Sequence, residues 1–137
     1  MPGGSGEVWE AIITYNYIMV ATLEKKDSSF LPGKITKILG ELKRGLLEIY
    51  GEELKEVYLF GSFARGEGKL PDSDIDVMIV MNGDFNHREV EGRSIDFITS
   101  LCLKHDVVIS WFFASNTKYI QSKMPFMRSV RKEAVTI

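Results

Sequence analysis

Asp74 and Asp76 stand two residues apart where an apolar, β-branched run, residues 75–81, begins. Side chains at i and i+2 of a strand share a face. Both carboxylates therefore point one way, and Ile75, Val77, Ile79 and Met81 fill the other. Like charges held about 5–7 Å apart repel unless a cation or a proton intervenes. Hard oxygen ligands of this kind suit Mg2+, which takes one or two carboxylates and completes its shell with waters and phosphate oxygens. Upstream, the run Val57-Tyr58-Leu59-Phe60 breaks at Gly61-Ser62. Such a turn frees backbone amides to converge on one point, and glycine lets an anion approach the main chain closely. Ser62 adds a hydroxyl donor at the same place. Residues 63–65 read as the opening of a short helix, whose N-terminus also favours negative charge. An anion cradle followed by a paired-carboxylate site is the equipment for phosphoryl or nucleotidyl transfer. Either half alone is commonplace, as a turn or a surface acid pair. Both together, strand-bounded and in this order, are much rarer.

The elements that must position these groups follow from periodicity. Residues 7–24 read as a helix, with Trp9, Ile12, Ile13, Met19, Val20 and Leu23 at helical spacing. Residues 25–33 collect Asp27, Ser28, Ser29, Pro32 and Gly33 and read as a loop, the one internal boundary. A helix over residues 34–50 carries Ile35, Ile38, Leu39, Leu42, Leu46 and Ile49 on one stripe, and Gly51 is placed to end it. Strands are expected over residues 57–60, 75–81 and 107–113. A turn at 83–86 and a helix over 87–104 lie between the last two, and short helices surround Pro125. The fold class is α/β (α+β), a small mixed sheet flanked by helices. Residues 1–33 form an N-terminal extension and residues 34–137 the domain.

Bulk properties bound the partners. The chain of 137 residues is 45% hydrophobic and 26% charged, enough for one core without disulfide or structural metal. Cys102 is its only cysteine, which fits a reducing compartment, and the cytoplasm is the expected location. No stretch has the roughly 18 uncharged apolar residues of a membrane span. With 17 basic and 19 acidic side chains the net charge is −2, so nothing suggests a global nucleic-acid surface. The local basic run Arg128, Arg131, Lys132 reads as a solvated helix face. The apolar stripe of the first helix is a candidate homodimer contact.

The run Gly61-Ser62-x-Ala64-Arg65-Gly66, followed by Ser73-Asp74-x-Asp76, resembles the signature of the DNA polymerase beta-type nucleotidyltransferase superfamily. Within it the chain is most similar to the minimal nucleotidyltransferases, small bacterial and archaeal proteins with little beyond the catalytic core. The resemblance covers most of the chain from about Ile35 onward. It implies Mg-dependent transfer of a nucleoside monophosphate, AMP foremost, from ATP or another NTP to a hydroxyl acceptor. Gly61 and Ser62 would hold the triphosphate, with Arg65 and Ser73 as further nucleotide contacts. Asp74 and Asp76 would bind two Mg2+ ions, one activating the attacking hydroxyl and the other stabilising the leaving pyrophosphate. A third carboxylate is implied on a later, adjacent strand. Asp106, just before Val107-Val108-Ile109, is the candidate for that catalytic and metal-binding place, and Asp96 is the runner-up. The resemblance further implies a helical HEPN-type protein partner. Some members act as antitoxins by adenylylating a tyrosine on it.

One departure from the family pattern is a spacer between Gly66 and Ser73 that is one residue longer than usual, which a loop can absorb. Other motifs fail. The glycines of residues 61–66 have P-loop spacing, but Glu67 stands where lysine is required. Cys102 and His105 lie one helical turn apart and read as a buried thiol beside a surface imidazole. Trp111, Phe112 and Phe113 read as core or as an interface ridge. Arg65 can meet a phosphate or pair with a carboxylate. If Asp106 caps its helix instead of joining the acid pair, the rival reading gains. That rival is a noncatalytic module acting by binding a protein partner.

Overall fold

The computed structural model describes residues 28–137. The helix expected over residues 7–24, its proposed dimer contact and most of the extension lie outside the described residues. Helix α1 (Gly33–Tyr50) buries Ile35, Ile38, Leu39, Leu42 and Leu46 of the stripe that periodicity marks, and Tyr50 closes it in place of Ile49, which is only partly buried. It ends at Gly51, whose φ of 56° is open to glycine and whose amide donates to Leu47 O. A single 3-10 turn, Gly51–Glu53, delivers the chain into β1 (Leu54–Phe60). A short helix α2 (Gly61–Ala64) follows directly.

After a loop comes β2 (Ile75–Met81), antiparallel to β1 from Leu54↔Met81 to Phe60↔Asp76. Helix α3 (His87–His105) is opened by Asn86, whose side chain accepts from the Glu89 amide at 3.0 Å. It returns the chain to β3 (Ile109–Ser115), parallel to β2 from Ile75↔Ile109 to Met81↔Ser115. Parallel neighbours need such a crossover. Helices α4 (Asn116–Gln121) and α5 (Pro125–Glu133) precede β4 (Val135–Thr136), which pairs antiparallel with β1. The sheet order is β3-β2-β1-β4, a mixed sheet with β3 and β4 at its edges.

Two apolar layers enclose this sheet. On one face α1 and α3 supply Ile35, Ile38, Leu42, Leu46 and Ile98 against Val57, Leu59, Ile75, Val77 and Ile79. Helix α1 approaches α3 closely because Gly45 has no side chain; a Cβ there would meet the Phe97 ring at 2.0 Å. The Tyr50 hydroxyl is satisfied inside the layer by Val90 O at 2.6 Å and Ser94 Oγ at 2.8 Å. On the other face α4 and α5 bring Tyr119 and Val130 against Phe60, Met78, Val80 and Ala114. Strand β2 is therefore buried on both sides beyond Asp76, which explains a continuous apolar run instead of alternation. Among the described residues no helix is long and apolar enough to cross a membrane.

Candidate active site

The site is built where β1 stops. Gly61 sits at φ 77°, and the chain folds at once into α2. The Arg65 amide donates to Gly61 O at 3.1 Å, and the Glu67 amide donates to Ser62 O at 2.9 Å. Glycine is required twice over. A Cβ at Gly61 would stand 2.1 Å from Asp76 Oδ2, and the positive φ is itself unfavourable for other residues. The Asp76 carboxylate thus rests against the Gly61 backbone, and the turn and the acid meet.

Register places the remaining groups. Phe60 pairs with Asp76 and Asp76 with Ser110, so the three share one row on one face of the sheet. Asp74 lies just before β2, on the same face, and its Oδ2 accepts from Ser110 Oγ at 3.1 Å. Asp74 is exposed and Asp76 partly buried. Burial, first, and then the Asp74 charge push the Asp76 carboxyl above the ordinary aspartate range; Glu133 adds to this and Arg65 opposes it. Two hard oxygen donors whose joint ionisation is penalised are suited to a divalent cation such as Mg2+.

Arg65 is carboxylate-paired. Its Nε donates to Glu67 Oε2 at 3.0 Å and its Nη1 to Glu133 Oε1 at 3.0 Å. The other Glu133 oxygen accepts from the Gly61 amide at 3.0 Å. Sequence reading missed Glu133, since only its basic neighbours Arg128, Arg131 and Lys132 stood out. Arg131 is not simply solvated: it donates to Tyr119 O at 2.8 Å and Ser122 O at 2.7 Å, tying α4 to α5. Ser73 faces its own loop, where its hydroxyl accepts from the Lys69 amide at 2.9 Å and its amide donates to Lys69 O at 2.8 Å. That closure fixes the approach to Asp74.

Asp106 does not join the pair. It is the C-cap of α3, exposed, at φ 52° and ψ 52°, with its amide donating to Cys102 O. Aspartate is one of the few side chains that tolerates this left-handed cap, so the residue serves the helix end. Strand β3 starts at Ile109, and the residue opposite Asp76 is Ser110. Among the described residues no group of three or more His, Cys, Asp or Glu gathers as a metal site. Asp96 is exposed on α3.

The aromatic triplet splits between the faces. Phe113 is in the α1–α3 layer with Trp111 packed against it. Phe112 points to the acid-bearing face, one row along from Ser110. There it meets Phe60 at 5.9 Å and Phe126 at 5.3 Å between ring centroids. Phe112 and Phe126 remain 41% and 49% exposed. A half-open aromatic wall thus borders the carboxylates.

Comparison with known proteins fits this geometry. Residues 39–135 match the family model described as nucleotidyltransferase domain. Two proteins of Methanocaldococcus jannaschii, each named "Putative protein adenylyltransferase", are similar to the chain. One is 35% identical over 98 residues, covering 71% of this chain and 91% of that protein. The other is 34% identical over 77 residues, covering 56% of this chain and 76% of that protein. The match runs from α1 into β4 and so takes in both the Gly61–Ser62 turn and the Asp74–Asp76 pair, and the chain belongs to the nucleotidyltransferase domain family.

Proposed function

We propose that the protein transfers AMP from ATP to a hydroxyl group of a protein acceptor, with Mg2+ held by Asp74 and Asp76. The observation that carries this reading is the contact of the Asp76 carboxylate with the Gly61 backbone. It makes the phosphate-binding turn and the acid pair one site instead of two. Ser62, at the start of α2, offers its hydroxyl and the helix N-terminus to the β- and γ-phosphates. Arg65 stands at the rim of the same turn. A divalent cation, when bound, supplies charge neutralisation and Lewis acidity at the reacting phosphate. With Asp106 elsewhere, a second ion would take most of its ligands from triphosphate and water.

The two Methanocaldococcus jannaschii relatives, named as protein adenylyltransferases, support a protein acceptor. So does the layout across the strands. Displacement at phosphorus runs in line, with attacking and leaving oxygens on opposite sides. The cradle lies on the β1 side of Asp76, so the acceptor hydroxyl approaches from the β3 side, over Ser110 and the Phe112–Phe126 wall. A tyrosine on a helical HEPN-type partner, adenylylated in an antitoxin role, suits that aromatic border. A reducing cytoplasm suits the lone cysteine.

Incubating the protein with labelled ATP, Mg2+ and host cell extract tests this. A labelled polypeptide is expected, absent with Asp74→Ala/Asp76→Ala. The noncatalytic reading has one observation in its favour, Ser110 standing where a third carboxylate is implied. It wins if the double variant still neutralises its partner as well as the unaltered protein does.

A further inference from the structure

Glu133 is the last residue of α5, and its backbone is held on both sides. Val130, one turn earlier, is 1% exposed, and Val135, two residues later, is 0% exposed. Val135 pairs with Leu59 of β1, and the Ala134 amide donates to Val130 O at 2.8 Å. The side chain is therefore projected from a fixed point onto the junction of β1 and α2. Both of its oxygens are engaged there. Oε2 takes the Gly61 amide, the first N–H of α2, at 3.0 Å. Phe60, the N-cap residue of that helix, makes no side-chain capping bond. Oε1 takes Arg65 Nη1, at the far end of the same turn, at 3.0 Å.

We propose that Glu133 is a positioning residue for triphosphate binding, a carboxylate from the C-terminal strap that clamps both ends of the Gly61–Arg65 turn. It supplies the cap that Phe60 cannot. It keeps the Gly61 backbone seated under Asp76, and so keeps the Ser62 donors facing the phosphates. The guanidinium has five N–H donors in a rigid plane. Glu67 and Glu133 take up two of them, which orients the plane at the rim of the cradle. The opposite role, a gate that occupies donors the phosphates need, requires Glu133 to swing away. That movement has to break both hydrogen bonds at once, to the Gly61 amide and to Arg65. This inference rests on the nucleotidyltransferase reading of the site.

The test uses the full chain and a nonhydrolysable ATP analogue with Mg2+, with binding measured by calorimetry. Glu133→Ala is expected to weaken binding about tenfold, and Glu133→Gln, which keeps an acceptor for the Gly61 amide, by less. Arg65→Ala should cost less in the Glu133→Ala background than alone, because the clamp has already released the guanidinium. Without nucleotide, hydrogen exchange at the Gly61 amide should quicken about tenfold in Glu133→Ala and little in Glu133→Gln. Analogue binding as tight as in the unaltered protein, or tighter, would overturn the clamp. If Glu133→Ala does not fold, the Glu133→Gln and Arg65→Ala cycle carries the test, and strict additivity overturns the proposal. A wild-type chain that binds no analogue would sink the nucleotidyltransferase reading itself. Failure of the clamp alone looks different: the wild type binds, and Glu133→Ala binds equally.

Discussion

The two faces of the sheet are built on different terms. Against α1 and α3, Ile35, Ile38, Leu42, Leu46 and Ile98 close over Val57, Val77 and Ile79 with no exposure at all, and the Tyr50 hydroxyl there is hydrogen-bonded inside the layer. Against α4 and α5 the cover is two short helices, and it stops short of the start of β2. Asp74, Asp76, Ser110, Phe112 and Phe126 are left accessible in part. Strand β2 belongs to both faces: Ile75, Val77 and Ile79 anchor it, and Asp76 uses the anchorage. Stability is concentrated on one side so that charge can be concentrated on the other. The acid pair is destabilising in isolation, and the apolar layer behind it tolerates that cost.

The largest effect that tests this division is expected from Asp76→Asn. Transfer should fall by about 10³-fold or more, because a ligand for the cation that would neutralise the reacting phosphate is lost. Thermal stability without metal should rise by about 3 °C at neutral pH. The sign follows from the upward shift of this carboxyl, caused first by burial and then by Asp74. A group held above its unfolded value stabilises the fold below that value and loses the contribution as pH rises through its folded value. At neutral pH the ionised form is a burden that asparagine does not carry. The gain should vanish in acid, where both states of the wild type are protonated. A lower melting temperature at neutral pH would mean Asp76 supports the fold, and the contrast between the faces would be false.

A smaller effect is expected on the aromatic border. Phe112→Ala and Phe126→Ala should each raise KM for the protein acceptor about tenfold through lost apolar contact, with KM for ATP changed less than twofold. Steady-state kinetics with each substrate varied in turn reads this. Equal changes in both constants would place the wall in the fold and not in acceptor recognition. Smaller again is a shift in the pH profile. The acid limb of the transfer rate should lie above the ordinary aspartate range at low Mg2+. It should move to lower pH as Mg2+ is raised, since cation and proton compete for the raised Asp76 carboxylate. A limb that does not respond to Mg2+ would separate the metal from this pair.

What the sequence made legible follows the same division. The run at residues 75–81 was readable to the residue, because a strand buried on both faces is apolar throughout and the two aspartates mark where it opens. Helix α1 was readable from its stripe. Local pattern misplaced the start of β3: Val107, Val108 and Ile109 are all β-branched, but the left-handed cap at Asp106 delays the strand to Ile109. Strand β4 is two residues long, too short to have a period. Glu133 was invisible for the related reason that its partners, Gly61 and Arg65, are distant in sequence, and only the packing of α5 on β1 and α2, together with the β1–β4 pairing, brings them together. The family resemblance located the signature but could not tell which residue of the following strand stands beside Asp76.

That last point sets the smallest expected effect. Asp106→Asn should leave transfer within about twofold of the wild type and leave the melting temperature nearly unchanged. Asparagine also accepts the left-handed conformation, so the α3 cap survives the substitution. A true third carboxylate would instead lose orders of magnitude on neutralisation. Ser110 is the complementary position, because it is the one paired with Asp76 and bonded to Asp74. Ser110→Ala should change activity more than Asp106→Asn does, by freeing the Asp74 carboxylate from the hydroxyl that orients it. The reverse ranking would show that the end of α3 rearranges toward the acid pair when nucleotide binds, and that the site borrows a residue from the α1–α3 side of the sheet.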